Sequence, residues 1–64
     1  MKVSRDKIDI ARASRCMTVS GLAEAYGVSR ARMNTILNQR ELTPVCVGRL
    51  ASTLGVDVTE IIED

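Results

Sequence analysis

The chain carries three hydrogen-bonding side chains on one short stretch, at positions 30, 34 and 35. Arg30 presents a fork of N–H donors that fits O6 and N7 of guanine, Asn34 is of the type that pairs with adenine, and the methyl group of Thr35 suits that of thymine. Apolar residues between them recur at helical spacing and are predicted to face inward. The stretch is therefore predicted to be a helix whose outer face reads base edges in the major groove of DNA.

Two helices joined by a tight turn are predicted to hold that face in place. Within the segment 18–38, one helix is expected over about residues 19–26 and a second over about residues 29–37. Gly27 stands where the chain leaves the first helix, a position that suits a left-handed glycine. Ala23 is small and is predicted to lie where the two helices cross. The inward-facing residues of this helix-turn-helix are predicted to be Leu22, Ala23, Tyr26, Val28, Met33, Ile36 and Leu37.

Three further helices are predicted around this motif. Helix 1 is expected from Arg5 to about Arg15, helix 4 from Pro44 to about Leu54, and helix 5 over about residues 58–63. The N-termini of the five helices have residues suited to capping them, namely Ser4, Thr18, Ser29, Thr43 and Asp57. The predicted fold class is all-α, a compact five-helix arrangement in a single domain over residues 1–64.

Residues 18–38, followed by the sequence LASTLGVDVTEII at positions 50–62, resemble the Cro and phage-repressor helix-turn-helix family, also called the xenobiotic-response-element type. The likeness covers residues from about Ile8 to Ile62. It implies a lambda-repressor-like fold that binds double-stranded operator DNA, usually as a two-fold dimer, with the second helix of the motif in the major groove. By this resemblance, the base-reading positions fall on Arg30, Ala31, Asn34 and Thr35.

A second set of residues is expected to contact the DNA backbone. The resemblance places Ser29, Asn38 and Arg12 in it, while Arg32 on the flank of the helix and Arg40 in the following loop are basic residues near the same face. The full predicted set is Thr18, Ser29, Arg32, Asn38, Arg40 and Arg12. In some family members an acid one residue before the matching Asn pairs with the arginine of helix 1. Leu37 stands there, so Arg12 is expected either to contact DNA or to be solvated.

The distribution of charge favours an anionic partner. Residues 1–56 carry nine of the basic and four of the acidic residues, whereas residues 57–64 carry four acidic residues and no basic one. Charge alone is equally typical of a solvated surface, and the motif is what makes a DNA-binding face the better interpretation. The chain has two cysteines 30 positions apart and no histidine, so no metal, no cofactor and no enzymatic activity are expected. No apolar run has transmembrane length, and a cytoplasmic protein with no membrane partner is expected.

Three functions are compatible with this pattern. The leading hypothesis is a transcriptional regulator of the phage, plasmid or operon repressor type. The alternative is an antitoxin that binds a toxin protein and its own operator, which a neighbouring toxin gene or co-purification would reveal. The third is a helix-turn-helix used only for protein contact. A weak homodimer, or a dimer formed on DNA, is expected. At least one of Ile61 and Ile62 should pack on helix 4, and the other, with Leu42 or Val58 nearby, is expected to form a small apolar patch for self-contact.

Overall fold

Four α-helices and one 3₁₀ turn make up the protein in the computed structural model, which describes residues 1–63 of the chain. The helices are α1 (Arg5–Ser14), α2 (Val19–Tyr26), α3 (Arg30–Asn38) and α4 (Pro44–Leu54), and the 3₁₀ turn is Val58–Glu60. The all-α class is confirmed, and α2 and α3 form the predicted helix-turn-helix. Helix α1 ends one residue earlier than predicted.

The predicted capping residues explain where the α-helices begin and end. The side-chain oxygens of Ser4, Thr18, Ser29 and Thr43 each accept a hydrogen bond from the backbone N–H three residues further on. This satisfies one of the N–H groups that a helix N-terminus leaves without a partner. The helices α2 and α4 each end at a glycine in the left-handed region, where a Cβ atom would be strained.

The predicted fifth helix over residues 58–63 is wrong in type and length. Asp57 and Glu60 form the predicted capping box, but only a single 3₁₀ turn follows, and Ile61 already leaves helical geometry with φ −124. The physical reason lies in the backbone partners of the last residues. Ile61 O accepts from Ser4 N–H at 2.8 Å and Glu63 N–H donates to Lys2 O at 3.0 Å, so pairing with the N-terminal segment replaces a continued helix.

The first four residues are part of the fold. They run between the loop that follows α3 and the segment after the 3₁₀ turn, with antiparallel bridges from Lys2 to Glu41 and from Val3 to Ile62. The Val3 N–H donates to Arg40 O at 2.9 Å, and the Val3 side chain is buried. The N-terminal segment thus joins the α3–α4 loop to the C-terminal segment.

A single apolar cluster connects the helices. Its buried members are Val3, Ile8, Ala11, Leu22, Ala23, Tyr26, Met33, Ile36, Leu37, Leu42, Val47, Leu50, Ala51, Leu54 and Ile61. Every inward-facing residue predicted for the motif belongs to this cluster except Val28, which is half-buried and packs against its edge. Helix α2 packs against both α3 and α4, so the core fixes α3 from behind and leaves its opposite face outward.

Candidate nucleic-acid interface

The outer face of α3 is the centre of the candidate site. Met33, Ile36 and Leu37 are buried and anchor the helix, and Met33 is fully inaccessible. The four residues assigned to base reading, Arg30, Ala31, Asn34 and Thr35, are all exposed. The helical period that buries every third or fourth residue necessarily turns the residues between them outward. The structure therefore presents these four side chains together on one surface, and their contact with bases stays a prediction.

The turn between α2 and α3 is held by backbone hydrogen bonds rather than by side chains alone. Both Gly27 N–H and Val28 N–H donate to Ala23 O, at 2.9 and 3.0 Å. Gly27 has φ 94, which lets the chain reverse direction within two residues. Ala23 itself is buried on α2. This compact turn fixes the angle at which α3 leaves the core.

The polar side chains of α3 and of the N-caps of α2 and α3 differ in which of their atoms remain available to contact a ligand. The Thr35 hydroxyl donates to Ala31 O at 3.2 Å within the helix, which leaves the Thr35 methyl group for apolar contact. Ser29 Oγ accepts from Arg32 N–H at 3.1 Å, and its own hydroxyl hydrogen is still able to donate to a phosphate oxygen. Thr18 Oγ1 accepts from Gly21 N–H at 3.0 Å in the same way at the start of α2.

Arg12 is not simply solvated, which was one of the two alternatives expected for it. Its side chain is only 21% exposed, its Nη2 lies 3.2 Å from Asp9 Oδ1, and its Nη1 donates to Met17 O at 3.0 Å. The acid that pairs with Arg12 is therefore Asp9, on its own helix, instead of a residue near the end of α3. This pairing was not predicted from the sequence. A role for Arg12 at phosphate stays a prediction.

Arg5 was also missed by sequence reasoning, although it lies beside a predicted phosphate contact. Its Nη1 donates to Leu37 O at 3.3 Å and lies 3.5 Å from Asn38 Oδ1, while its Nε is 3.1 Å from Asp9 Oδ1. The last carbonyls of a helix carry partial negative charge, so a guanidinium is favourable there. The spacing of Arg5, Asp9 and Arg12 along α1 was the available signal, but it does not reveal which other helix they contact.

A concavity of about 250 Å³ lies where the N-terminus of α1 meets the C-terminus of α3. Its lining includes two residues predicted to contact the DNA backbone, Asn38 and Arg40, together with Arg5. The acidic residues Asp6 and Glu63 also line the concavity. The structure thus brings together three side chains with N–H donors next to the exposed face of α3. The two carboxylates limit the positive potential inside the concavity.

Arg32 lies on the other flank of α3 and faces a second groove, of about 340 Å³, between α2, α3 and α4. There Arg49 stacks over the Tyr26 ring at 4.4 Å and donates to Tyr26 O at 2.7 Å. The Tyr26 hydroxyl lies 3.3 Å from Cys46 Sγ. Burial, together with the hydrogen bond to Cys46, raises the pKa of Tyr26 above its usual range. These contacts fasten α4 to the C-terminal end of α2.

The described residues offer neither a metal site nor a membrane segment. No group of three or more Cys, Asp or Glu side chains in residues 1–63 is arranged to hold a metal ion. None of the helices in that range is long and apolar enough to cross a bilayer.

Comparison with known proteins identifies one family. The sequence model described as the Cro/C1-type HTH DNA-binding domain matches residues 7–64. No curated protein and no solved structure matches the chain significantly. The matched range includes both helices of the motif and the whole α3–α4 region.

Proposed function

Because the chain belongs to the Cro/C1-type helix-turn-helix DNA-binding family, we propose that it is a sequence-specific repressor that inserts α3 into the major groove of operator DNA. The observation that carries this proposal is the arrangement of α3. Three apolar side chains bury one face of the helix, and all four assigned base-reading residues are exposed on the other. A nine-residue helix of this kind presents its N-terminal turn and one stripe to a groove.

Arg30 is proposed as the principal base-reading residue. It is the first residue of α3, exposed, and its guanidinium has the geometry that pairs with guanine. Asn34 and Thr35 follow on the same surface and would read neighbouring base pairs. Arg32, on the flank, would contact phosphate, which adds affinity without sequence choice.

Selection of bound sites from random duplexes, followed by two arginine variants, tests this division of roles. Arg30→Ala is expected to weaken binding to the selected site by about 1–3 kcal/mol and to relax preference at one base pair. Arg32→Ala is expected to weaken binding to all sequences alike and to reduce the slope of log K against log [salt] by about 0.9. An unchanged preference profile for Arg30→Ala would remove Arg30 from the base-reading set. If the protein selects no site over random DNA, the proposed function is wrong.

Two-fold dimerisation on DNA is proposed as the way this small domain reads a longer site. Of the apolar residues considered for its interface, Leu42 is buried in the core, and so is Ile61, as expected for one of the two terminal isoleucines. Ile62 and Val58 remain half-buried, and the most exposed large apolar side chain is Val45 at 82%. Such a surface suits weak self-association. The selected sites should then contain two half-sites about 34 Å apart on one face of the duplex.

Footprinting and sedimentation on a selected operator test the dimer separately from DNA binding. Two protomers per duplex at saturation, protecting two half-sites, are expected. Saturation at one chain on a single asymmetric site would contradict the dimer and leave sequence-specific binding intact.

A further inference from the structure

One carboxylate oxygen on α1 holds two arginines at once. Asp9 Oδ1 lies 3.1 Å from Arg5 Nε and 3.2 Å from Arg12 Nη2. The three residues occupy one face of α1 at a spacing of four and then three, so their side chains are neighbours. Burial by itself would raise the pKa of Asp9, but the hydrogen bonds and charges of Arg5 and Arg12 outweigh it and lower that pKa below its usual value. Asp9 is therefore ionised at neutral pH.

The two arginines reach opposite ends of the helix-turn-helix. Arg5 Nη1 donates to Leu37 O in the last turn of α3, at 3.3 Å. Arg12 Nη1 donates to Met17 O, at 3.0 Å, immediately before the Thr18 cap of α2. The Asp9 network, defined as Asp9, Arg5 and Arg12 with these two carbonyl contacts, thus joins α1 to the beginning and to the end of the motif.

Local helix energetics do not account for this arrangement. On a helix the order of Arg5–Asp9 is the less favourable one and that of Asp9–Arg12 the favourable one, and exposed ion pairs are worth only about 0–1 kcal/mol. The Asp9 side chain is 40% exposed, so its pairs are partly screened by water. What the network adds is geometric, because each guanidinium is fixed at two points, one on Asp9 and one on a backbone carbonyl of the motif.

We propose that Asp9 is a positioning residue for DNA recognition, which acts by holding Arg5 and Arg12 against the two ends of the helix-turn-helix and so fixes α3 relative to α1. This inference rests on the proposed function. The expected change in DNA affinity is opposite to the usual one, because removing a negative charge from a DNA-binding protein ordinarily raises its affinity for DNA. If Asp9 positions α3, its neutralisation should instead reduce binding to the selected site.

The test compares Asp9→Asn with Asp6→Asn. Both changes remove one negative charge from α1 and keep the side-chain size, but Asp6 is exposed in the first turn and lies outside the Asp9 network. Affinities for the selected site and for a random duplex are measured below the melting temperature of every variant. For Asp9→Asn, the ratio of specific to non-specific affinity is expected to fall about three- to tenfold. For Asp6→Asn, the ratio should be unchanged, since both affinities change together.

Hydrogen exchange without DNA gives a second measurement. Asp9→Asn is expected to accelerate exchange at the Gln39 amide after α3 and at the Gly21 amide near the start of α2, with α4 unaffected. Acceleration throughout α4 would indicate a general loss of stability and overturn the positioning role.

The outcomes separate this inference from the function on which it rests. If the wild-type protein shows no preference for any DNA site, both the inference and the proposed function are wrong. A selective wild type with an equally selective, or more tightly binding, Asp9→Asn variant overturns the inference alone. Loss of selectivity in Asp9→Asn, with Asp6→Asn unaffected, supports it.

Discussion

Replacing Ala23 by leucine is expected to destabilise the fold without touching the DNA-binding face. Ala23 is 2% exposed on α2, and α2 packs against both α3 and α4. Leucine adds three carbon atoms at a buried position on the helix that packs against both α3 and α4. Overpacking of this kind costs about 1–3 kcal/mol, because neighbouring side chains are pushed off their preferred rotamers.

That cost is large for a chain of 64 residues. At about 0.05–0.15 kcal/mol per residue, the free energy of unfolding is about 3–10 kcal/mol. One kcal/mol lowers Tm by about 4–8 °C in a domain of this size, so Ala23→Leu should lower Tm by about 4–24 °C. Below that temperature the remaining folded protein should still bind the selected DNA site.

Ala25 supplies a matched control on the same helix. It is exposed, and alanine and leucine have nearly equal helix propensity, so Ala25→Leu should change stability by no more than about 0.5 kcal/mol. Thermal melts followed by circular dichroism compare the two variants directly. Equal Tm values for Ala23→Leu and the parent would show that the α2–α3 crossing is not tightly packed at Ala23 and would refute the reasoning.

Two other perturbations have signs fixed by the structure. Gly48→Ala should raise the free energy of unfolding by about 0.5–1 kcal/mol, because a Cβ there meets nothing within 4 Å and alanine is the better helix former. Gly27→Ala should lower the free energy of unfolding by about 1–2 kcal/mol, because Gly27 has φ 94. Urea unfolding of both variants measures these changes, and two shifts of the same sign would contradict the reasoning. Since the pKa of Asp9 is lowered in the folded state, its stabilising contribution is present above its ordinary pKa of 3.8 and is lost as the pH falls through the lower folded value. The Tm deficit of Asp9→Asn at pH 7 should therefore narrow in strong acid, and a constant deficit would show that the charge of Asp9 is not what stabilises the fold.

Local sequence signals were sufficient to predict where the α-helices begin and end to within about one residue. A hydroxyl such as that of Ser29 or Thr43 caps a helix through an N–H only three residues away, and this relation holds whatever the rest of the chain does. The apolar period of α3 likewise decided which of its faces would be exposed. The assignment of Ala31 to base reading came from family resemblance alone, since an exposed alanine on a helix face is equally compatible with simple solvation.

Tertiary structure alone decided the partners of residues far apart in sequence. Residues 61–63 have a helix-like pattern, but the N-terminal segment lies close enough to take their backbone hydrogen bonds, so the helix stops at Glu60. Arg5 meets Leu37 across 32 positions only because α1 docks against the end of α3. Leu42 is buried where the α3–α4 loop meets the N-terminal segment, and its N–H donates to Met1 O at 2.9 Å. Capping and periodicity depend on neighbours within four residues and can be predicted from the sequence, whereas these contacts depend on how the helices and terminal segments pack against one another.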